Sequence, residues 1–314
     1  MSLCKWSIMS MPNSRSIIFL FFLPMTENKT DIPNEELLFY DIMEYPIPRQ
    51  WEYFVCTDKN IEHEEEIEDP SWTVTQKTTK EYLNYINKWS RLFKSLPFIK
   101  TIYLCNSITF NSIHEHSDID VFIVAKNKAL RRARFWSVLI FRILWLKRSA
   151  THKRQKFCLS FYVTESHQNL YNISLPQTDI YLAYWIAHLV PIYEETTGNA
   201  TIYKDNTRIR WLLPNIPAKQ SIFLDIPCTV GNNKFKSSIE RLQKWRLGRL
   251  IESWIKTIWL PIIIYKTKRL HHQWEDIIVN NYMLKFYADK RKKIALLYKL
   301  RRDKVISSKS KDNL

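Results

Sequence analysis

The hydrophobic and polar positions between residues 97 and 195 predict a mixed α/β unit. FIKTIYLC (98–105) and FCLSFYV (157–163) are short apolar runs of strand length, and a third predicted strand begins at Asp118 and continues through IDVFIVA. Helical patterns separate these runs. Such alternation of strands and helices is typical of a small mixed sheet with helices packed on it.

Helices are predicted before, between and after these strands. The segment 77–97 is amphipathic, and Pro97 ends it; the segment 128–146 follows the second strand. A third helix is predicted over 180–190, closed by Pro191. Two sets of residues define these predictions: the apolar positions Tyr82, Ile86, Trp89 and Phe93 of the first helix, and the N-cap candidates Thr178 and Asp179 of the third.

The rest of the chain divides into three parts. Residues 1–24 are predicted to be an extension outside the fold, because the hydrophilic sequence that begins at Met25, directly after Pro24, resembles an ordinary N-terminus. Residues 25–96 contain ELLFYDIMEYPIPRQWEYF, which resembles the first helices of small winged-helix modules, followed by the linking helix. Residues 196–314 are predicted to form a helical C-terminal domain with a basic tail.

Two longer apolar runs bear on membrane insertion. They are Trp136–Leu146, interrupted by Arg142, and Thr257–Tyr265, interrupted by Pro261. A membrane-spanning helix needs about 20 apolar residues, so both runs are too short. They predict buried helices, and the chain is expected to have no membrane span.

Glycine and cysteine usage excludes several classes of protein. Only three glycines are present, so neither a dinucleotide-binding loop nor a Walker-type phosphate loop can be built. The cysteines are odd in number, scattered and without a CxxC pair, which disfavours a disulfide framework or a zinc site and favours the cytoplasm. They are Cys4, Cys56, Cys105, Cys158 and Cys228.

The chain is strongly basic, with a net charge of +16 and a pI of about 9.5. Residues 284–314 hold eleven Lys and Arg against three Asp, a net of +8 and half of the total. This excess favours a polyanionic partner such as nucleic acid. A solvated basic tail explains the same pattern equally well.

The candidate chemistry lies at the start of the second strand. Side chains alternate along a strand, so Asp118 and Asp120 point to one face, about 6–7 Å apart by the rise per residue. Two carboxylates so placed repel each other. A bound divalent cation would offset that repulsion.

The context of this pair resembles a known signature. A strand ends at Leu104, a turn carries Asn106 and Ser107, ten residues intervene, and Asp118-Ile119-Asp120-Val121 begins the next strand. This resembles the motif of the DNA polymerase β-type nucleotidyltransferase superfamily, and the resemblance covers residues 97–195. It is a likeness at the level of the superfamily.

The resemblance implies a function and a set of roles. The protein is expected to transfer a nucleoside monophosphate from an NTP to an acceptor hydroxyl with Mg²⁺. Asp118 and Asp120 are expected to be the catalytic metal ligands, and Asn106 and Ser107 to bind the nucleotide phosphates.

The motif departs from the superfamily at two places. Asn106 stands where glycine is usual, although Asn tolerates positive φ better than most residues. A third carboxylate is also missing. Ser160 occupies the position expected to be acidic, on a predicted polar face with Cys158 and Tyr162; Glu165 and Asp179 are the nearby substitutes.

These departures leave a second function open. The alternative is a catalytically degenerate nucleotidyltransferase fold that binds nucleic acid or regulates a partner protein, in the manner of an antitoxin. Nearby basic residues fit either function, as phosphate contacts or as a basic helix face: Lys126, Lys128, Arg131 and Arg132. His114 and His116 in the spacer are expected to be solvent-exposed.

Overall fold

A computed structural model describes most of the chain beyond residue 69. All described residues belong to one compact unit, Pro33–Leu314. The predicted extension 1–24 and most of the winged-helix-like module lie outside them. The described residues are 38–45, 70–149, 151–176, 179–198, 200–207, 212–213, 224, 226–242, 246–270, 276–287 and 290–312.

A seven-stranded mixed sheet forms the centre of this unit, which confirms the predicted α/β class. Its order is β5-β4-β1-β2-β3-β7-β6. β1 runs antiparallel to β2 and β4, whereas β2 and β3 are parallel. The strands are β1 Ile99–Leu104, β2 Ile119–Ala125, β3 Phe157–Thr164, β4 Val190–Glu194, β5 Thr229–Val230, β6 Ile278–Val279 and β7 Met283–Lys285.

Helices connect these strands and cover both faces of the sheet. A π-helical segment, Ile255–Trp259, joins α7 to α8, and a short 3₁₀ turn, Asn106–Ile108, follows β1. The α-helices are α1 Leu38–Met43, α2 Pro70–Phe93, α3 Leu130–Ile143, α4 Ile180–Ala187, α5 Ile202–Asp205, α6 Lys234–Leu242, α7 Arg246–Trp254, α8 Leu260–Leu270 and α9 Arg291–Asp312.

The central strands are buried on both faces, which explains their nearly continuous apolar sequence. On one face Val121 and Ile123 pack into the cluster that includes α2 and α3. On the other face Phe122 contacts Trp185 of α4, with ring centroids 5.3 Å apart. By alternation Asp120 lies on the same face as Phe122, towards α4.

The helix predicted over 180–190 is shorter than expected, and the role given to Pro191 is wrong. The helix ends at Ala187, and Pro191 lies within β4 opposite Tyr103 of β1. Pro cannot donate to a strand ladder, and the register of this pair shifts between Ile102 and Tyr103. The irregularity accommodates Pro191 inside the sheet.

The described residues of 196–314 form several helices and also contribute three short strands. β5 extends the sheet beside β4, and β7 pairs with β3, with β6 outside it. Strands of two or three residues have no detectable period of their own. The sheet therefore extends past the predicted boundary at residue 195.

A buried charge cluster ties α6 to the sheet. Lys236 is fully buried; its ammonium donates to the Ile99 carbonyl (2.6 Å) and lies 3.1 Å from Glu195. Lys126, at the end of β2, pairs with Glu195 at 2.7 Å and with Glu240 of α6 at 2.6 Å. Lys126 is thus a structural cation that anchors the C-terminal part.

The expectation of buried helices at the two long apolar runs is wrong in part. Ile143 and Leu144 at the end of the first run are exposed, and so are Ile258, Ile262 and Tyr265 in the second. No helix in the described part of the chain is long and apolar enough to cross a membrane.

Pro261 does not end the second helix. It has no N–H for an i→i−4 bond, and the π-helical segment Ile255–Trp259 ends two residues before it. A local widening of the helix accommodates such an interruption. Residues 246–270 consequently form one continuous helical rod.

Candidate active site

The two predicted acids lie together at the amino end of β2. Asp118 directly precedes the strand, and Asp120 is its second residue. Both are half-buried, at the end of the central strands where the turn after β1 begins. The backbone N–H of Cys105 donates to the Asp120 carbonyl (3.2 Å), which ties that turn to the acids.

Asn106 has the left-handed conformation that glycine adopts in the superfamily signature. Its φ is +62°, which Asn tolerates at modest cost. Its carbonyl accepts the N–H of Thr109 (2.9 Å) and that of Phe110 (3.2 Å), closing the 3₁₀ turn. The predicted turn with an Asn in place of glycine is therefore confirmed in its backbone conformation.

The side chain of Asn106 contributes two further contacts. Its amide nitrogen donates to Asp120 Oδ2 (2.8 Å), and its amide oxygen accepts the indole N–H of Trp185 (2.8 Å). The second bond orients the amide so that its donor faces the carboxylate. Asn106 is therefore a direct partner of the candidate metal ligand.

Ser107 follows in the same turn and is half-buried. Its carbonyl accepts the N–H of Ser112 (2.9 Å), which holds the turn against the start of the spacer. Within the described part of the chain, its hydroxyl has no hydrogen-bond partner. The hydroxyl is thus available to a ligand.

The third group beside the acids is Cys158 of β3. It lies directly opposite Asp120 in the parallel β2–β3 pair. One carboxylate oxygen each from Asp118 and Asp120 and the sulfur of Cys158 all lie within 4.8 Å of one another. The thiol donates to Ser160 Oγ at 3.4 Å. Cys158 is therefore the third potential ligand beside the two acids.

A bulge in β3 explains why the predicted polar face of Cys158, Ser160 and Tyr162 is wrong at Tyr162. The register shifts between Asp120 and Phe122, where two residues of β2 face three of β3. Beyond the shift, Tyr162 is fully buried on the opposite face, and its hydroxyl lies 2.8 Å from that of Ser137. Cys158 and Tyr162 therefore do not share a face.

The surroundings of Asp120 disfavour its charged form, chiefly through burial. Burial, reinforced by the neighbouring Asp118, raises the pKa of Asp120 to about 6, although the hydrogen bonds from Asn106 and Cys158 oppose this. Burial, and then the charge of Asp120, raises the pKa of Tyr45 to about 12. Burial also raises the pKa of the Cys158 thiol far above its usual value. Cys158 is consequently a neutral thiol at neutral pH.

Arg148 is the cation that faces these groups, and no sequence pattern indicated it. Its guanidinium donates to Asp118 Oδ2, and the same nitrogen lies 3.6 Å from the Cys158 sulfur. The side chain is exposed and belongs to the basic loop before β3. It occupies part of the space in which a metal ion would contact Asp118.

The side chains at this site match the ligand preferences of a hard divalent cation only in part. Two carboxylates supply the oxygen ligands that Mg²⁺ prefers, whereas a neutral thiol is a poor ligand for it. Glu165 and Asp179, considered as substitutes for the third acid, have other partners. Glu165 accepts the N–H of Asn127 (3.0 Å) beyond the far end of β3, and Asp179 caps α4 and pairs with Arg291 (2.8 Å).

The basic residues after β2 lie away from the acids. Lys126 belongs to the buried cluster described above, and Arg132 pairs with Glu252 at 3.1 Å. These positions follow the carboxyl end of β2, about 20 Å from its amino end by the rise per residue. His114 and His116 are solvent-exposed, as predicted.

A cavity of about 510 Å³ lies at this carboxyl end of the parallel pair. Its walls include Lys128, Arg131, Thr164, Glu252 and Tyr282. Arg131 Nη2 donates to Asn281 (2.8 Å), and its Nη1 lies 3.7 Å from Glu252, so its charge is already partnered. This cavity is at the opposite end of the strand from Asp118 and Asp120.

Comparisons with protein-family models, with curated proteins and with solved structures found no match to this chain. The likeness to the nucleotidyltransferase superfamily therefore rests on the sequence motif alone.

Proposed function

We propose that the protein is a Mg²⁺-dependent nucleotidyltransferase that transfers a nucleoside monophosphate from an NTP to an acceptor hydroxyl. One observation carries the proposal. The carboxylates of Asp118 and Asp120 lie close together at the amino end of β2, beside the positive-φ turn that carries Asn106 and Ser107. The motif residues, separated in sequence by ten positions, thus form one surface.

Each residue has a role in this proposal. Asp118 and Asp120 hold the magnesium ion, and Ser107 donates to a phosphate oxygen of the nucleotide. Asn106 keeps the Asp120 carboxylate oriented through its bond of 2.8 Å. When bound, the ion polarises the α-phosphoryl group and neutralises charge on the leaving pyrophosphate.

The electrostatics support a cation at this place. Burial and the neighbouring Asp118 raise the pKa of Asp120, which means that its charged form is poorly stabilised. A cation bound beside it would stabilise that form. Arg148 compensates Asp118, but it is exposed and at the end of a long flexible side chain. The guanidinium carries a single charge, so a divalent ion, which interacts more strongly with the carboxylate, can displace it from Asp118.

A second function is favoured by one specific observation. Arg148 and Asn106 already contact the two carboxylates, and the third group is a thiol in place of an acid. A degenerate fold that binds nucleic acid or a partner protein would keep this arrangement without turnover. The basic side chains exposed on α9 would then contact phosphates.

The test compares the purified protein with two variants. Asp118→Asn combined with Asp120→Asn removes both charges, whereas Glu115→Gln removes one charge from the exposed spacer nearby. Each protein is titrated with Mg²⁺ and ATP by calorimetry, and incubated with each labelled NTP and cell extract to detect label transfer and pyrophosphate release.

The proposed function requires Mg²⁺-dependent binding and transfer that the double variant lowers by more than about tenfold and Glu115→Gln preserves. Transfer that persists in the double variant would contradict it. Salt-sensitive binding to RNA or DNA without transfer would instead select the degenerate fold.

A further inference from the structure

A row of exposed apolar side chains follows the helical rod 246–270. Large apolar residues are usually buried, so exposed fractions near one half along a single rod are informative. The exposed fractions are 68% for Leu250, 44% for Trp254, 48% for Ile258, 48% for Ile262 and 67% for Tyr265. We call these five residues the apolar row.

The spacing of the apolar row places it on one side of the rod. Its members recur every four residues and then after three, which in a helix gives a stripe and not a scattered set. α7, the π-helical segment and α8 follow one another without a break, so the rod is about 37 Å long at 1.5 Å per residue.

The other side of the rod packs on the protein. Ile255 and Leu260 are buried, and the ring of Trp259 lies 5.6 Å from that of Phe135 in α3. Glu252 pairs with Arg132, which also lies in α3. The rod is therefore attached through residues 252–264. Within the apolar row, Trp254 also contacts Phe135 (5.7 Å between ring centroids), and the other four members are turned outwards.

The charges of the rod are almost all positive. Residues 246–270 contain six Lys and Arg and a single acid, Glu252, whose charge is paired with α3. Lys256, Lys266 and Arg269 are exposed beside the apolar row. An apolar stripe with Trp and Tyr, flanked by basic side chains, is the composition of helices that lie in a bilayer interface.

We propose that the rod 246–270 binds the surface of an anionic lipid bilayer, lying in its plane with the apolar row among the acyl chains. The exposed basic residues beside the row match the negative headgroups, and their long side chains can reach them from that depth. A nucleic-acid partner would account for the charges but leave the apolar row without a function. This inference does not depend on the catalytic proposal.

Vesicle sedimentation tests the apolar contribution. The full chain is mixed with vesicles of phosphatidylcholine, alone or in equimolar mixture with phosphatidylglycerol. We expect binding to the anionic vesicles and little to the neutral ones. Leu250→Ser with Ile262→Ser should weaken binding by at least about tenfold, because two apolar side chains no longer enter the lipid.

The matched control is Leu296→Ser with Leu300→Ser on α9, which removes two leucines of similar exposure away from the rod. This double variant should bind vesicles as the unmodified protein does. Unchanged thermal unfolding of both variants shows that the exposed substitutions leave the fold intact.

A second comparison tests the charges. Lys256→Gln with Lys266→Gln should lower the affinity for anionic vesicles about three- to thirtyfold, since each basic residue near the surface contributes on the order of 1 kcal/mol. Lys292→Gln with Lys299→Gln on α9 removes the same charge elsewhere and should have a smaller effect.

Three outcomes would overturn the proposal. The first is the absence of binding to anionic vesicles. The second is binding that the control pairs reduce as much as the rod variants. The third is self-association without vesicle binding. If sedimentation velocity shows self-association that Leu250→Ser with Ile262→Ser abolishes, the rod is an interface between protein molecules.

Discussion

Asn106 and Asp120 are joined by a hydrogen bond of 2.8 Å from the amide of one to the carboxylate of the other. The residue that replaces the usual glycine of the turn is thus also a partner of the candidate metal ligand. Trp185 fixes the amide by donating to its oxygen (2.8 Å). Backbone conformation and side-chain chemistry at residue 106 can therefore be separated by substitution.

Asn106→Gly and Asn106→Ala should differ in stability. Both lose the side-chain bonds to Asp120 and Trp185, but only Ala has to adopt a φ near +62° with a Cβ atom. We expect Asn106→Ala to be less stable than Asn106→Gly by about 1 kcal/mol. Urea denaturation measures the difference, and equal midpoints would show that the turn has changed its conformation.

Asp120 should make the protein less stable as pH rises from about 4 to 6. Its folded pKa of about 6 exceeds the value near 4 of an unfolded chain, so the folded state binds more protons in this window. The stabilisation present below pH 4 is lost by the time the pH passes 6.

Asp120→Asn should remove this dependence and stabilise the protein at pH 7 by about 1–3 kcal/mol, because the uncharged amide is not penalised by burial. Denaturant unfolding at pH 4, 5, 6 and 7 checks it. Glu115→Gln, which is exposed, should leave the profile unchanged. A profile that stays the same in Asp120→Asn would assign the titration to another group.

Arg148→Gln should raise the affinity for Mg²⁺ about three- to tenfold at low ionic strength. The guanidinium contacts Asp118, so the ion no longer has to displace a positive charge. Arg154→Gln is the control, because Arg154 lies in the same basic loop but pairs with Glu115. Calorimetric titration with Mg²⁺ measures both; weaker binding in Arg148→Gln would mean that Arg148 orients Asp118 for the ion.

Cys158→Asp should make the fold dependent on Mg²⁺. A third carboxylate opposite Asp120 adds repulsion in the free protein and a ligand in the loaded one. We expect lower stability in EDTA and a larger rise in melting temperature on adding Mg²⁺. Cys158→Ser keeps a neutral group there and should behave as the unmodified protein does; a large loss of Mg²⁺ binding in it would show that the sulfur is a ligand.

Lys236→Met should destabilise the protein by about 3–5 kcal/mol. Lys236 is fully buried, and its loss removes the hydrogen bonds to the Ile99 carbonyl and the Tyr193 hydroxyl and leaves Glu195 with one cation fewer. Adding Glu195→Gln should cost less than the two single effects together, because the remaining charge is also removed. Strict additivity in denaturant unfolding would show that the two residues do not interact.

The sequence by itself determined the local features of the site. Alternation along a strand placed Asp118 and Asp120 together, and the tolerance of Asn for positive φ kept the turn at residue 106. Asp179 caps α4 through the N–H of Leu182 (3.0 Å), as its position predicted. Each of these depends on residues near one another in the chain.

The tertiary structure decided which other groups meet these residues. The register at the start of the β2–β3 pair places Cys158 opposite Asp120, and the loop before β3 brings Arg148 to Asp118. β4 includes Pro191 because its register can shift, and the apolar row of the rod is exposed because α3 covers only the other side. Strand register and helix burial depend on contacts between distant segments, and no local period specifies which of the competing pairings has the lowest free energy.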